Sequence, residues 1–158
     1  MTGMAENYIR KARIQDVKAI HSLLLECGRR DLLIPRSIAQ LYGHLRDFYV
    51  LADRDDESVG GCCALSIIWQ DLAEIRSLAV SDAIQKKGWG GKLVEACLSE
   101  AVTLGLYRVF TLTYRQSFFE RLGFVEIEKE KLPHKVWADC VNCPKFPECD
   151  EIALIMEM

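Results

Sequence analysis

A glycine-rich run between a strand-like and a helix-like segment constrains the fold more than any other feature of this chain. The run is Gln85-Lys86-Lys87-Gly88-Trp89-Gly90-Gly91-Lys92, and it joins the apolar segment 75–80 to a helical pattern over 91–104. The free N–H groups and the positive dipole end at a helix N-terminus attract anions. A glycine run by itself is more often only a turn that needs positive φ. Its place between a strand and a helix favours a phosphate or pyrophosphate site, with Lys86, Lys87 and Lys92 adding charge at the rim.

Composition narrows the class of protein. The 158 residues suit one domain, 50% are hydrophobic and 27% are charged, as in a soluble globular protein. The net charge of −3 gives no reason to expect a nucleic-acid partner. No secretory signal and no membrane-spanning apolar run are evident, so a cytoplasmic location without membrane contact is expected. Seven cysteines, an odd number, then indicate reduced thiols rather than a disulfide framework.

Hydrophobic periodicity predicts a mixed α/β sheet with a helix on each face. Gly28 and Gly105 are expected to end the first and the third helix, and Ser37 to cap the second. An irregular segment over 133–151, with a short helix over 134–138, is expected before the last strand. Strands are predicted over 8–13, 48–52, 59–69, 73–80, 109–113, 124–127 and 152–156, and helices over 14–27, 38–45, 91–104 and 116–122.

Three stretches together resemble the GNAT superfamily of acetyl-CoA-dependent N-acetyltransferases. They are residues 9–17, the segment 78–80 followed by Gln85-x-x-Gly88-x-Gly90, and residues 118–124 with their Phe-x-x-x-Gly-Phe pattern. The resemblance implies one GNAT domain over 1–158. Its fold would be a mostly antiparallel central sheet with helices on both faces, and acetyl-CoA would be the co-substrate.

The resemblance narrows to the bacterial N-acetylglutamate synthases. Segment 73–80 is similar to one of their strands. Three further segments are similar to other parts of these enzymes: Leu33-Ile34-Pro35-Arg36-Ser37 with Leu41, segment 110–113, and Leu132-Pro133. Those enzymes usually carry an amino-acid-kinase domain, so the chain resembles their short, stand-alone form. The implied reaction is direct acetylation of the L-glutamate α-amino group in a ternary complex, the first step of arginine biosynthesis.

Alternatives stay open. The acceptor could instead be another amino acid, a polyamine or a protein amine, or the domain could bind acetyl-CoA as a sensor without catalysis. An acidic acceptor predicts a cationic pocket, whereas a polyamine predicts one lined by carboxylates. The residues around 137–151 depart from the longer synthases. Because members of the superfamily are often dimers, a homodimer is also open.

The resemblance also places acetyl-CoA. Neighbouring strands would splay after segment 78–80, and the pantetheine arm would pair with the exposed backbone of Leu78, Ala79 and Val80 like an added strand. A backbone N–H near Leu78 would polarise the thioester carbonyl. The pyrophosphate would lie on the amides of 86–92, with Gln85 opening the motif. Phe119, placed with the cofactor-binding residues, stands where many members have a tyrosine that protonates the leaving thiolate.

Three residues are candidates for the chemistry. Glu74 is the predicted base for the amine, directly or through a water, although a solvated carboxylate at a strand end is the plainer interpretation. Thr113 aligns with a Ser or Thr of the synthases, and its hydroxyl could assist the departing sulfur. Ordinary β-propensity explains Thr113 equally well, and Tyr114 is the second candidate.

A dicarboxylate acceptor needs cations. Arginine suits this task because its fork holds a carboxylate through two hydrogen bonds. Arg76 alternates with Glu74 along one strand, so the two should share a face and could form only a surface pair. Ser37 could donate to substrate, but a helix cap is its expected role. The predicted substrate-binding residues are Arg36, Ser37, Arg76, Arg115 and Lys145.

The cysteines fall into two groups. Cys140, Cys143 and Cys149, with His134 nearby, could bind zinc, but their spacing matches no standard zinc site. A redox-sensitive or structural cluster is therefore at least as good an interpretation, and no metal is favoured. The remaining four are predicted to lie in the core: Cys27, Cys62, Cys63 and Cys97.

Overall fold

The computed structural model describes residues 6–29, 37–85, 87–133 and 151–158. Its strands are β1 (Asn7–Lys11), β2 (Phe48–Asp53), β3 (Val59–Trp69), β4 (Leu72–Val80), β5 (Arg108–Thr113), β6 (Val125–Ile127) and β7 (Ile152–Glu157). Its α-helices are α1 (Val17–Arg29), α2 (Ile38–Gly43), α3 (Trp89–Thr103) and α4 (Gln116–Arg121). None of the helices in these ranges has both the length and the apolarity needed to cross a bilayer.

The seven strands form one sheet in the order β1-β2-β3-β4-β5-β7-β6. All neighbouring pairs are antiparallel except β4 and β5, which run parallel. This confirms the predicted mixed, mostly antiparallel sheet. The parallel pair lies at the centre, and α3 supplies the crossover connection that parallel neighbours require.

Helices cover both faces of the sheet, as predicted. On one face α1 buries Val17, Ile20 and Leu24, and α2 buries Leu41, against β2 and β3. On the other face α3 buries Leu93 and Val94 against β4 and β5. Each such side chain contributes about 1.5–3 kcal/mol when it leaves water, so the two clusters fix the sheet between the helices.

Two helix ends differ from the sequence-based expectation. Helix α1 continues through Gly28, which was expected to stop it, because an interior glycine costs a helix only about 1 kcal/mol and does not have to end it. Helix α3 begins at Trp89, so Gly90 and Gly91 belong to its first turn rather than to the loop. Gly105 does end α3, with φ +86 and an N–H that donates to the carbonyl of Val102.

A buried ion pair joins β1 to the start of α1. The guanidinium of Arg10 donates to both carboxylate oxygens of Asp16, at 2.7 and 3.1 Å, and the Arg13 N–H donates to the same carboxylate at 2.7 Å. Burial alone raises the pKa of Asp16, but the hydrogen bonds from Arg10 and Arg13 outweigh it and hold the pKa below its ordinary value. This carboxylate therefore stabilises the fold as an anion.

The four cysteines predicted to be core are confirmed as buried free thiols: Cys27, Cys62, Cys63 and Cys97. Cys62 packs in the cluster beneath α1, and Cys63, the next residue of β3, packs in the cluster beneath α3. Consecutive residues of a strand point to opposite faces, so one short segment contributes a thiol to each half of the core.

Candidate active site

A cleft opens where β4 and β5 separate. The two strands pair only at Ala73 with Val109 and at Glu74 with Phe110. One residue further along, the Thr111 hydroxyl donates to the carbonyl of Ile75 at 3.1 Å. Beyond this contact the strands diverge, which is earlier along β4 than segment 78–80, where the resemblance placed the splay. The cleft between them is lined by Cys27, Ile75, Arg76, Ser77, Leu78, Thr111, Leu112, Thr113, Arg115 and Phe119.

A β-bulge shapes the β4 side of the cleft. Cys62 faces Ala79 and Ala64 faces Arg76, so two residues of β4 lie opposite Cys63 alone. One of these two, Ser77, has φ +55, which is unusual for a residue with a side chain. The extra residue changes the phase of the strand by one position.

The change of phase is visible in the packing. Before the bulge, Ala73 and Ile75 lie in the core beneath α3; after it, Leu78 and Val80 pack against that core while Ala79 packs beneath α1. The bulge thus lets Leu78 contact both the core and the cleft, and its backbone borders the opening. Of the three predicted pantetheine-binding residues, Leu78 lines the cleft, Val80 lies at the following loop and the Ala79 side chain is buried.

The glycine-rich loop connects this edge of β4 to α3. The Gln85 side-chain amide donates to the carbonyl of Val80 at 2.8 Å, which holds the start of the loop against the end of the strand. Gly88 caps α3 in the left-handed conformation, with φ +82. The first bond of the helix runs from the Lys92 N–H to the Gly88 carbonyl, so the N–H groups of 89–91 precede the helical ladder.

The two glycines in the first turn of α3 fit a ligand that approaches the backbone closely. A Cβ on Gly90 would meet Phe118 at 3.4 Å, and one on Gly91 would meet Leu122 at 3.4 Å, which are ordinary contact distances. Packing inside the protein therefore does not demand glycine at either position. Free N–H groups, a helix N-terminus and missing side chains are together the features that suit a pyrophosphate.

The loop lysines differ in position. Lys87 is exposed, and the ammonium of Lys92 lies 4.6 Å from the centre of the Trp89 ring, a cation–π distance. Lys86 lies outside the described residues. Lys87 and Lys92 both remain near the N-terminus of α3, where a positive charge complements an anion.

Glu74 is buried and ion-paired, so it is not the solvated strand-end carboxylate of the plainer interpretation. It is the third residue of β4, 6% exposed, and Arg76 Nε donates to its carboxylate at 2.6 Å. The predicted sharing of one face by Glu74 and Arg76 is confirmed. Arg76 lines the cleft while Glu74 lies behind it, so Arg76 connects the carboxylate to the opening.

The residues at the end of β5 form the opposite wall. Thr113 is buried, lines the cleft, and its hydroxyl accepts the Arg115 N–H at 2.9 Å, which shapes the turn into α4. Its hydroxyl proton can still be donated. Tyr114 is half-buried and does not contribute to the lining. Phe119 is 2% exposed and packs edge-to-face on Phe118 and Phe124, with ring centres 5.0 and 5.3 Å away.

Other predicted residues fall elsewhere. Ser37 caps α2: its hydroxyl accepts the Gln40 N–H at 3.1 Å, and the Gln40 side chain accepts the Ser37 N–H at 2.9 Å. Its expected capping role is confirmed. No group of metal-ligating side chains occurs among the residues that the structure describes. Arg36, His134, Cys140, Cys143, Lys145 and Cys149 lie outside the described residues, as does the short helix expected over 134–138.

Sequence reasoning missed several residues of the cleft. Ser77 forms the bulge, Thr111 bridges the two strands, and Cys27 lines the opening as well as the core. A single serine or threonine in a strand carries no signal for a bulge or a bridge, because both depend on strand pairing. The helical spacing of Cys27 with the other apolar residues of α1 predicted its burial correctly. The same spacing could not show that a cleft lies beside it.

The described lining of the cleft contains two arginines, one of which is paired with Glu74. Among the described residues that line the cleft, the charged side chains are Arg76 and Arg115, and none is a carboxylate. Arg115 is exposed at the N-terminal cap of α4, whereas Arg76 is half-buried beside Glu74. Such a lining attracts an anionic ligand rather than a polycation.

Comparison with known proteins agrees with this geometry. Residues 17–124 match the acetyltransferase (GNAT) family. An N-acetyltransferase of Chlorobaculum tepidum that is itself uncharacterised is 42% identical, over 96% of each chain. An amino-acid acetyltransferase of Mycobacterium tuberculosis is 40% identical, over 76% of this chain and 69% of its own length.

Solved structures show the same fold. N-acetylglutamate synthase from Neisseria gonorrhoeae, crystallised with coenzyme A and N-acetyl-glutamate, superposes with a TM-score of 0.86 at 26% identity, over 99% of this chain and 36% of its own. Rv2747 from Mycobacterium tuberculosis, crystallised with CoA, gives 0.81 at 29% identity, over 96% of this chain and 99% of its own. The chain belongs to the GNAT family, and it is an acetyl-CoA-dependent N-acetyltransferase.

Proposed function

We propose that this acetyltransferase acts on an amino acid and that its acceptor is L-glutamate. The observation that carries the proposal is the pair of arginines in the described lining of the cleft, exposed Arg115 and half-buried Arg76, of which Arg76 is paired with Glu74. Arginine holds carboxylates through charge-assisted hydrogen bonds, each worth about 1.5–3 kcal/mol. The names of the relatives support an amino acid, since amino-acid acetyltransferases of Mycobacterium and Neisseria are 40% and 32% identical to this chain.

In the proposed reaction Glu74 takes the proton of the amine. Glu74 forms an ion pair with Arg76, and a carboxylate placed beside the cleft is the kind of group that can take the proton of an ammonium ion as it attacks. Because Glu74 lies behind Arg76, the proton reaches it through a water or after a small movement of Arg76. Glu74 thus acts as base, and Arg76 both orients it and faces the acceptor.

The open edge of β4 and the start of α3 hold acetyl-CoA, which supplies the acetyl thioester. Residues 76–80 of β4 have no pairing with β5, so their backbone can pair with an extended ligand. The N–H groups of 89–91 and the side chains of Lys87 and Lys92 take the pyrophosphate. Thr113 lines the same cleft, and its hydroxyl is the proposed donor to the departing sulfur.

Several wider statements belong to the same proposal. Acetylation of glutamate would place the enzyme at the first step of arginine biosynthesis. The chain would contain one GNAT domain over 1–158 and would form a homodimer. Arg36 and Lys145 would add cations to the acceptor site.

Release of CoA with a panel of amines tests the acceptor. The panel contains glutamate, glutamine, aspartate, ornithine, lysine, spermidine and a short peptide, each with saturating acetyl-CoA. Preferred turnover of glutamate is expected, and glutamine is the matched control because it differs only in the side-chain charge. Preferred turnover of spermidine or lysine would refute the acidic acceptor. Tight acetyl-CoA binding with no turnover of any amine would favour the sensor function.

A further inference from the structure

The bulge of β4 is held from both neighbouring strands by side chains. On the β5 side, Thr111 Oγ1 donates to the carbonyl of Ile75 at 3.1 Å, and the contact is buried. On the β3 side, Cys62 Sγ donates to the carbonyl of Ser77 at 3.3 Å. These two carbonyls flank the peptide units of Arg76 and Ser77. The bulge is therefore bonded at both of its ends.

Both contacts replace backbone pairing that the fold has given up. Pairing of β4 with β5 ends at Glu74, and the Thr111 side chain adds one more bond beyond that point. Pairing of β4 with β3 is interrupted between Cys62 and Ala64, and the Cys62 thiol bonds inside that interruption. Without these donors two carbonyls of a half-buried strand would lose partners, which costs about 1–3 kcal/mol each.

The thiol is able to donate because it keeps its proton. Cys62 is fully buried, and burial, together with the neighbouring Cys27, raises its pKa far above the ordinary value. A protonated thiol is a weak hydrogen-bond donor, weaker than the threonine hydroxyl. Thr111 should therefore carry more of the restraint than Cys62.

The segment that these bonds hold is the part of β4 that borders the cleft. Arg76, Ser77 and Leu78 all line it, and Ser77 keeps φ +55, a conformation that costs about 1–3 kcal/mol and needs surroundings that enforce it. Backbone N–H donors accelerate a reaction only if they already point at the reacting atoms before it begins. If the bulge could relax, its backbone N–H groups would no longer keep one orientation towards the cleft.

We propose that Thr111 and Cys62 are positioning residues for acetyl transfer, because their side chains hold the carbonyls of Ile75 and Ser77 and so aim the backbone of 76–78 into the cleft. The inference rests on the acetyl-transfer half of the proposed function and not on the identity of the acceptor. Neither side chain has to touch a substrate.

Two matched substitutions at Thr111 test the proposal. Thr111→Val keeps the shape and the β-branch but removes the hydroxyl, whereas Thr111→Ser keeps the hydroxyl. Thr111→Val is expected to lower kcat about tenfold, which corresponds to about 1.4 kcal/mol. Thr111→Ser is expected to stay within threefold of the unchanged protein. CoA affinity should stay within threefold in both variants, because the loop and α3 supply most of it.

A second readout needs no acceptor. In the CoA-bound protein, amide hydrogen exchange of Ser77 and Leu78 is expected to rise about tenfold in Thr111→Val and to remain unchanged in Thr111→Ser. This keeps the test separate from the glutamate proposal, since a wrong acceptor would abolish turnover without changing exchange. Unchanged exchange at 77 and 78 in Thr111→Val would overturn the role of Thr111.

A matched pair of cysteine substitutions tests the role of the Cys62 thiol. Cys62→Ala removes the donor to Ser77, and Cys97→Ala removes an equally buried thiol that lies on α3. Cys62→Ala is expected to raise exchange at Ser77 about threefold more than Cys97→Ala does. Equal exchange at Ser77 in the two variants would show that Cys62 only fills space. If Thr111→Val does not fold, this pair still decides whether side-chain donors hold the bulge.

Discussion

Glu74→Gln is the substitution that most directly tests the proposed chemistry. Glutamine has almost the same volume as glutamate, and its amide oxygen can still accept the Arg76 N–H that now lies 2.6 Å from the carboxylate. The substitution therefore removes the negative charge and the ability to take a proton while it preserves the contact. Glu74 is only 6% exposed, so a smaller residue would add a cavity to the same experiment.

The expected loss follows from the titration of the amine. The α-ammonium group of a free amino acid is more acid-resistant than a peptide terminus, whose pKa is about 7.7–8.0, so well under a tenth of the acceptor is neutral at pH 7. A positioned base contributes about 10²–10⁴-fold, so Glu74→Gln should lower kcat/KM for the amine at least 100-fold at pH 7, or about 2.7 kcal/mol. As the pH rises towards 9 the neutral fraction of the amine grows, and the gap from the unchanged protein should narrow.

The assay is the rate of CoA release between pH 6 and 9 with the acceptor that the unchanged protein prefers. Glu100→Gln is the matched control, because Glu100 is also ion-paired, to Lys11 at 3.5 Å, but does not line the cleft. It should leave the rate within twofold at every pH. Thermal melts should show both variants folded at the assay temperature.

A pH-independent gap would refute the role of Glu74 as a base. If Glu74→Gln and Arg76→Lys lower the rate equally, and the double variant is no worse than either, Glu74 acts only by orienting Arg76. A KM effect on the acceptor with unchanged kcat would lead to the same conclusion.

Three further substitutions test other parts of the site and fold. Arg115→Ala should raise the KM for glutamate about tenfold and leave that for acetyl-CoA unchanged, with exposed Arg121→Ala as control; equal effects of the two would exclude Arg115 from the acceptor site. Gly90→Ala should weaken CoA binding about tenfold by calorimetry without lowering Tm, and unchanged affinity would contradict close approach of the pyrophosphate. Asp16→Asn should cost about 3 kcal/mol in urea unfolding at pH 7, because it breaks the buried pair with Arg10. Since the folded-state pKa of Asp16 is lowered, this difference should shrink as the pH falls below about 4, and a constant difference would refute the assignment.

Local patterns predicted most of the fold. The strands and helices follow from periodicity, and the capping box of Ser37 with Gln40 and the left-handed Gly105 follow from residue type alone. Patterns failed where a residue's role depends on its partner. Nothing in the segment around Asp16 shows that the structure buries it against Arg10, a residue of another element.

The cleft was predicted less completely than the sheet, and the reason is physical. A bulge arises from unequal pairing between two strands, so neither the sequence around Ser77 nor that around Cys63 reveals it. Glu74 looked like a strand-end carboxylate because nothing in its own segment shows which face of the sheet is covered. Its burial depends on the clusters on either side, which the chain assembles from distant residues.

The phenylalanine at position 119 raises a question that energetics can answer. Phe119 is buried among aromatic rings and has no proton to give, so the departing thiolate needs help from elsewhere. A thiol with an ordinary pKa near 8.5 leaves as a thiolate at pH 7 for only about 2 kcal/mol, because it is 1.5 pKa units above the solution, at about 1.36 kcal/mol per unit. One hydrogen bond to a charged group contributes about 1.5–3 kcal/mol. A hydrogen bond from the Thr113 hydroxyl in the cleft wall, the donor that we propose, would offset this cost without a tyrosine at position 119.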